Sequence, residues 1–252
     1  MTDPVILITG ATSGFGRATA DKFAQNGWKV IATGRRRERL EALQAEYGAE
    51  RVHIIEMDVM DADQIMKGVA AIPDAFKPVK CLLNNSGLAL GSKPWPDIRL
   101  EDWRTMVETN IMGVLHVAHA VLPLLKEAGK GASMINVGSI AGRFAYPGGN
   151  VYGASKAFTR QFSYELRCDL EGSDVRVTSL EPGMAKTEFT AVRTYGDYAL
   201  NETFYDGAEP ILPEDIAETV WWLTNRPDHI NINSIEIMPV CQTPAIPKIL
   251  RK

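Results

Sequence analysis

The 252-residue chain has few of the residues that build metal centres or disulfide frameworks: three cysteines and four histidines. Cys81, Cys168 and Cys241 lie far apart and form no CxxC pair, so we expect buried or partly buried free thiols. His116 and His119 could share a helix face, but no carboxylate or cysteine clusters with them in the sequence. No metal site is therefore predicted.

Long apolar runs and a basic excess are also missing. No apolar run reaches the ~18 residues that a membrane-spanning helix needs. The N-terminal stretch MTDPVILITG has no basic region before its apolar residues, so no signal peptide is predicted. With 27 basic and 31 acidic residues the net charge is -4, which argues against nucleic-acid or membrane-surface binding. We expect a cytoplasmic protein with no nucleic acid and no membrane as partner.

Short apolar runs alternate with helical patterns along the chain. Segments rich in Val and Ile, typical of strands buried on both faces, are PVILIT, WKVIAT, VHIIEMDV, CLLNN, SMINVGS, VRVTSLE and INSIEIM. Apolar residues recur at helical spacing over 15–25, 37–47, 61–71, 100–126, 151–170 and 213–224. Repeated β-α units predict one α/β domain over 1–252, a Rossmann fold whose doubly wound, mostly seven-stranded parallel sheet is flanked by helices.

A glycine-rich turn links the first strand to the first helix. In ITGATSGFGRA the glycines are Gly10, Gly14 and Gly16. Glycine lets the backbone turn sharply and approach a pyrophosphate, while the helix N-terminus offers free N–H groups. A glycine turn that binds nothing is the alternative, but its place in the first βα turn favours dinucleotide binding.

The second strand ends in arginines, where NAD-specific sites tend to have an acid. In TGRRRERL the acid position is Gly34, followed by Arg35, Arg36 and Arg37. Guanidinium groups attract a 2′-phosphate that a carboxylate would repel, so NADP(H) is the predicted cofactor, with Arg35 and Arg36 as its contacts. The alternatives are a solvated basic helix start, or Glu38 as the acid, although Glu38 is placed one turn into the helix.

The stretch VYGASKAF places Tyr152 and Lys156 four residues apart, on one face of a helix. Free tyrosine has a pKa near ~10 and is a poor base at pH 7. One positive charge at ~4 Å, with an effective dielectric of ~20, is worth roughly 4 kcal/mol, which would lower that pKa to ~7, although desolvation opposes the shift. The pair alone could also be two surface residues. Ser139, at the end of the fifth strand, could donate to a substrate oxygen.

Several motifs together resemble the short-chain dehydrogenase/reductase family over essentially the whole chain. They are TGATSGFG, NNSG at 84–87, Asn110, Ser139 and YGASK at 152–156. The family usually has NNAG, and Ser86 replaces its alanine. The resemblance implies a catalytic set of Ser139, Tyr152, Lys156 and Asn110.

In this family the matching asparagine holds a water that links the lysine to solvent; a polar residue that kinks the helix is the alternative for Asn110. The resemblance also implies that Asp58 contacts adenine, with a helix N-cap as its other possible role, and that Thr187 contacts the carboxamide. The implied cofactor-binding residues are Thr9, Gly10, Thr12, Ser13, Gly14, Phe15, Gly16, Arg35, Arg36, Asp58, Val59, Asn85, Gly87, Tyr152, Lys156, Pro182, Gly183 and Thr187.

The family places a substrate-covering loop after the sixth strand. We call residues 183–212 the substrate loop and residues 239–252 the C-terminal tail. Arg193 is a candidate for clamping an anionic substrate group, unless it is a surface arginine. The predicted substrate-binding residues are Ser139, Tyr146, Tyr152, Arg193 and Gln242. Because Gln242 lies in the tail, it could complete a neighbouring subunit's site.

Three longer stretches narrow the resemblance. The chain resembles the NADP-dependent dehydrogenases of small 3-hydroxy acids (serine, L-allo-threonine, 3-hydroxypropionate) and the similar sulfoacetaldehyde reductases. The stretches that carry this resemblance are GRFAYPGGNVYGASKAF, LRCDLEG and HININSIEIMPVCQT. The substrates of these enzymes share a short chain with an anion two carbons from the reacting carbon. The substrate loop lacks the two-glycine insertion of serine-type enzymes, which leaves the sulfonate option open.

The resemblance implies a homotetramer. A catalytically silent NADP-binding regulator is the alternative of another class, and the complete Ser, Tyr, Lys and Asn set argues against it.

Overall fold

The computed structural model describes residues 3–244. Its strands form one seven-stranded sheet in the order β3-β2-β1-β4-β5-β6-β7, and every neighbouring pair is parallel. The strands are β1 (Val5–Thr9), β2 (Lys29–Gly34), β3 (Val52–Glu56), β4 (Val79–Asn84), β5 (Ser133–Val137), β6 (Arg176–Pro182) and β7 (Ser234–Ile237). The predicted doubly wound parallel sheet is confirmed.

Helices cover both faces of the sheet. They are α1 (Gly14–Gln25), α2 (Arg37–Tyr47), α3 (Ala62–Ala70), α4 (Leu100–Val107), α5 (Gly113–Ala128), α6 (Asn150–Asp169), α7 (Phe189–Arg193), α8 (Tyr198–Thr203) and α9 (Pro213–Thr224). A π-helical turn, Glu108–Met112, joins α4 to α5. The sequence pattern did not predict α7 and α8, because helices of five and six residues are too short to show a helical period.

Alternate residues of each strand enter two separate apolar clusters. In β1, Val5 and Leu7 belong to the cluster beneath α3 and α5, whereas Ile6 and Ile8 belong to the cluster beneath α1, α2 and α9. This period of two places a core on each face of the sheet. The burial of both faces explains why the strand sequences are apolar throughout.

The strand order reverses between β1 and β4. The chain runs from β1 to β3 on one side and from β4 to β7 on the other. In an open parallel sheet this reversal leaves a crevice at the carboxyl ends of the strands, where ligands bind. The glycine-rich turn after β1 and the NNSG segment that begins in β4 both lie at that crevice.

The continuous helix Leu100–Ala128 is, by length and composition alone, apolar enough to cross a membrane. Its α5 part packs on β4 and α3, and it buries Val117, Val121 and Leu125 in the core. These contacts make α5 a core helix of the fold.

The cysteines agree only in part with the expectation of buried or partly buried free thiols. All three are free thiols, and Cys81 is buried, but Cys168 and Cys241 are exposed. The prediction of burial is therefore wrong for these two. The first lies near the end of α6, and the second follows β7 in the C-terminal tail.

Candidate active site

The glycine-rich turn forms a cradle at the start of α1. Gly10 and Gly14 have φ of 68° and 51°, values that side chains rarely tolerate. A Cβ on Gly16 would lie 2.2 Å from the Gly10 carbonyl oxygen, so the helix packs directly on the turn. Ser13 precedes α1 without capping it. The first-turn N–H groups, including that of Phe15, therefore have no side-chain cap from Ser13 and could bind a pyrophosphate at this end of the helix.

Arg36 lies across this cradle. Its Nε and Nη2 donate to Thr12 Oγ1 at 3.0 and 2.8 Å, and Nη2 also donates to Ser13 Oγ at 2.6 Å. Arg35 instead has 66% of its side chain exposed and pairs with Asp58 at 3.7 Å. Arg36 thus fixes the cradle, while Arg35 keeps most of its donors for a ligand.

The predicted acid position has no room for a side chain. A Cβ on Gly34 would lie 2.9 Å from Cγ2 of Thr12. Sequence reasoning missed a third arginine there: Arg39 donates to the Thr12 carbonyl at 3.2 Å and to Glu188 at 2.8 Å. Arg39 follows Arg36 by three residues, a spacing that places both on one helix face, and this could have revealed it. With Arg35, these charges fit a dinucleotide that carries an additional phosphate.

Asp58 does not cap α3. Asp61 is the N-cap and accepts from the Gln64 N–H at 3.0 Å, whereas Asp58 accepts from the Met60 N–H at 3.0 Å. The N-cap alternative for Asp58 is therefore wrong. Val59 is buried.

Thr9 and Asn85 form the floor between β1 and β4. The Asn85 N–H donates to Thr9 Oγ1, and the Asn85 side-chain amide donates to the Thr9 carbonyl, both at 2.9 Å. The Ser86 N–H also donates to Thr9 Oγ1 at 2.9 Å. These bonds hold the two strand ends at a fixed separation behind the glycine cradle.

Tyr152 and Lys156 share the buried face of α6, as the four-residue spacing predicted. Their exposed fractions are 9% and 6%. The Lys156 ammonium donates to the Val137 carbonyl at 2.8 Å. Burial lowers the pKa of Lys156 to about 8, because a charged amine loses its hydration there.

The ionisation of Tyr152 differs from expectation. Burial raises the pKa of Tyr152 to about 12; the Ser139 hydroxyl and the Arg193 charge lower it in part, and Tyr146 raises it. The expected fall to about 7 is therefore not produced by the protein's own groups, because desolvation outweighs them. At neutral pH the phenol keeps its proton.

Asn110 lies in the π-helical turn and has 1% exposure. Its Oδ1 accepts from the Leu88 N–H at 2.9 Å, and its Nδ2 donates to the Leu88 carbonyl at 2.8 Å and to Ser155 Oγ at 3.0 Å. A Cβ on Gly87 would lie 3.2 Å from Lys156 Nζ and 3.3 Å from Asn110 Oδ1. Glycine there lets the lysine and the asparagine approach the same point.

Ser139 follows β5 and begins a short 3₁₀ turn. Its Oγ accepts from the Ala141 N–H at 3.1 Å and lies 3.4 Å from the Pro182 carbonyl oxygen, to which it donates. This contact places the Ser139 hydroxyl at the end of β6, where the substrate loop starts.

Arg193 joins three segments around the site. Its Nε donates to the Gly91 carbonyl at 3.0 Å, Nη1 to the Tyr146 hydroxyl at 3.3 Å and Nη2 to the Gly148 carbonyl at 3.1 Å. A guanidinium has five N–H donors, so within residues 3–244 one N–H on each terminal nitrogen has no partner. Arg193 is carried by α7, the helix whose Phe189 ring centre lies 5.4 Å from that of Tyr152, and its charge lowers the pKa of Tyr152 in part.

Gln242 supports the substrate loop of its own chain. Its Oε1 accepts from the Met184 N–H at 2.8 Å, and a Cβ on Gly183 would lie 2.3 Å from that oxygen. The side chain of Thr187, farther along the loop, lies over Gly14 with its methyl carbon 3.3 Å from a Cβ built there. The remainder of the predicted tail, 245–252, lies outside the described residues.

Arg143, another cation near the site, is engaged elsewhere. It forms ion pairs with the buried Glu181 and with Glu236, and it donates to Ser234 Oγ at 3.0 Å. Arg193 is thus better placed than Arg143 to meet a substrate anion beside Tyr152.

Comparison with known proteins agrees with these features. The family described as short chain dehydrogenase matches residues 4–196. The chain is 55% identical over 239 residues to a serine 3-dehydrogenase of Agrobacterium fabrum, covering 94% of each chain. It is 52% identical over 239 residues to sulfoacetaldehyde reductase 2 of Chromohalobacter salexigens, covering 94% of this chain and 95% of that one. A solved serine dehydrogenase, described as a closed form complexed with NADP+, is 46% identical and superposes with a TM-score of 0.93, covering 98% of this chain and 100% of that one.

Proposed function

Because the chain belongs to the short-chain dehydrogenase/reductase family, we propose that it is an NADP(H)-dependent oxidoreductase of small 3-hydroxy acids. It would interconvert such an acid with its 3-oxo acid or semialdehyde; 3-hydroxypropionate, serine and L-allo-threonine represent the class. The observation that carries this proposal is that Arg193, with two N–H groups free in the part of the chain that the structure describes, lies on the same short helix as Phe189, which contacts the buried Tyr152. An anion and a reacting oxygen on one short molecule can meet both groups.

The glycine cradle, with Arg35 and Arg39 above it, would hold the cofactor, which supplies the hydride when bound. Thr187, Pro182 and Gly183 would bind its nicotinamide part, as the family resemblance implies. The serine dehydrogenase complexed with NADP+ supports NADP(H) rather than NAD(H), and the absence of an acid at Gly34 agrees with that choice.

Tyr152 would exchange the proton with the substrate oxygen. Because burial holds the pKa of Tyr152 at about 12, the phenol can donate at neutral pH, which suits reduction of a carbonyl. Ser139 would donate to the same oxygen and stabilise its developing charge. Lys156 and Asn110 would renew the proton from solvent, since both side chains lie next to Gly87.

Arg193 would hold the carboxylate at the other end of the substrate, with the Tyr146 hydroxyl beside it. Gln242 supports the loop that carries Arg193, through its bond to Met184. This arrangement fits a substrate with an anion two carbons from the carbonyl carbon. It offers nothing comparable to a neutral aldehyde.

Sulfoacetaldehyde reduction to isethionate is the second candidate, since a sulfoacetaldehyde reductase is 52% identical over 239 residues. A sulfonate also accepts hydrogen bonds from a guanidinium. A silent NADP-binding regulator would need none of the four catalytic groups, so their joint placement argues against it.

The test is a substrate panel followed by the absorbance of NADPH. Malonic semialdehyde and sulfoacetaldehyde are offered for reduction, and serine and 3-hydroxypropionate for oxidation with NADP+. The primary proposal is supported if a carboxylate substrate has the largest kcat/KM of the panel. The second candidate is supported if sulfoacetaldehyde has the largest kcat/KM. No turnover of any substrate would contradict both.

We also propose that the chain acts as a cytoplasmic homo-oligomer, a tetramer by family resemblance. The free thiols support a reducing compartment. In an 18-residue apolar window of Leu100–Ala128, 39% of the residues are buried within one chain, which leaves surface on this helix for a subunit interface. Light scattering on purified protein tests the assembly, and a monomeric mass would contradict it.

A further inference from the structure

Glu188 connects the substrate loop to the arginines beyond β2. Its Oε2 accepts from Nη1 of Arg36, and its Oε1 accepts from Nη1 of Arg39, both at 2.8 Å. The residues of the second pair are 149 positions apart in the chain. The contact therefore joins the two sides of the crevice where a dinucleotide would lie.

The residues on either side of Glu188 extend this bridge. The Thr187 methyl carbon lies 3.3 Å from where a Cβ on Gly14 would be, and the Phe189 ring centre lies 5.4 Å from that of Tyr152. Three consecutive residues thus run from the phosphate cradle, past the arginines, to the catalytic phenol. The start of the substrate loop therefore crosses the crevice.

The bridge is charged at neutral pH. Burial alone would raise the pKa of Glu188, but the hydrogen bonds and charges of Arg36 and Arg39 outweigh it and lower the pKa. The side chain of Glu188 is 31% exposed, so its ion pairs are partly screened and of moderate strength. A contact of this strength can form and break during turnover.

We propose that Glu188 is a positioning residue that latches the substrate loop over the bound dinucleotide. It binds Arg36, which holds the cradle, and Arg39, which would lie above the cofactor, and so it couples cofactor retention to closure over the substrate. This inference rests on the proposed function. Because the latch must open before the cofactor leaves, Glu188 controls the rate of cofactor release.

A competing explanation makes a different prediction. If the Glu188 carboxylate only competed with the 2′-phosphate for the arginines, its removal would tighten the binding of NADPH and leave the binding of NADH unchanged. A latch, by contrast, retains either dinucleotide, since the ion pairs join protein to protein.

The experiment compares Glu188→Gln with wild type and with Glu202→Gln. Glu202 lies on α8 of the same loop and is exposed, so this control makes the same change of charge away from the arginines. Stopped-flow fluorescence measures the release of NADPH and of NADH. Hydrogen exchange over residues 183–205 measures loop opening in the protein alone, and the melting temperature checks the fold.

For Glu188→Gln we expect release of both dinucleotides to be roughly five- to twentyfold faster, as for the loss of partly exposed charged hydrogen bonds. Exchange of the loop amides should also be faster, while Glu202→Gln behaves as wild type. Unchanged release or exchange, or slower release of NADPH alone, would overturn the latch. A wild-type protein that binds neither dinucleotide would overturn the proposed function as well, which distinguishes the two failures.

Discussion

The Lys156 ammonium lies 5.9 Å from the centre of the Tyr152 ring and donates to the Val137 carbonyl rather than to the phenol. The lysine therefore does not hydrogen-bond to the phenol, and burial raises the pKa of Tyr152 to about 12 despite the nearby amine. Its place beside Gly87 and Asn110 supports the proposed role of Lys156 in proton supply. Tyr152 is left as a protonated acid, which gives the two residues of one helix face separate roles.

Replacement of Tyr152 by Phe removes the proton carrier and keeps the ring that contacts Phe189. We expect turnover to fall by about 100- to 10,000-fold, the usual contribution of a general acid. Fluorescence titration should show NADPH affinity close to that of wild type. Substantial remaining activity would mean that water or another group delivers the proton.

Replacement of Lys156 by Met should stabilise the fold and abolish activity. Burial lowers the pKa of Lys156 from 10.5 to about 8, so below pH 8 the folded protein carries the desolvation cost of a buried charge. Between about pH 8 and 10.5 the folded chain loses this proton before the unfolded chain does, and wild type gains stability as the pH rises.

Urea unfolding at pH 7 and pH 9.5 measures this effect. The advantage of Lys156→Met over wild type should shrink by at least ~1 kcal/mol between the two pH values. Lys67→Met, at an exposed position of α3, is the control and should show no such change. A constant advantage would mean that burial does not lower the pKa of Lys156 in the folded protein.

Arg35 and Arg36, which follow β2, should affect the binding of NADPH and NADH differently. Arg35→Ala should weaken NADPH at least tenfold and NADH little, since it loses one charge-assisted bond worth ~1.5–3 kcal/mol. Arg36→Ala should weaken both cofactors, because Arg36 also holds Thr12 and Ser13. Isothermal titration with both cofactors measures the difference. Arg37→Ala is the control, since Arg37 pairs with Glu41 and Glu56; equal losses for NADPH and NADH at Arg35 would exclude its phosphate role.

Local patterns predicted the sheet and the buried face of α6. The bounds of α2 and α9 agree with the sequence periods, and Tyr152 and Lys156 share a face because a helix repeats every 3.6 residues. The assignment of one domain to 1–252 stays a prediction, as do the functional roles of the site residues.

Features that depend on distant contacts could not be predicted in this way. Glu188 meets Arg39 across 149 positions, and no local period records that contact. The high pKa of Tyr152 follows from its burial, which only the packed fold determines. The short helix α7 forms within the loop that Arg193 fastens to Gly91 and Gly148, so its existence depends on tertiary contacts.

The most direct test of the account compares an anionic with a neutral aldehyde in wild type and Arg193→Ala. The measurement is the ratio of kcat/KM for malonic semialdehyde to that for propanal, with NADPH and one protein preparation of each. Loss of a charged partner from a largely closed site costs ~2–5 kcal/mol, so the ratio should fall roughly thirtyfold to a few thousandfold. Both values decline somewhat if the loop loosens, but the ratio isolates the charge. An unchanged ratio would contradict the assignment of Arg193 as the anion clamp and, with it, the proposed substrate class.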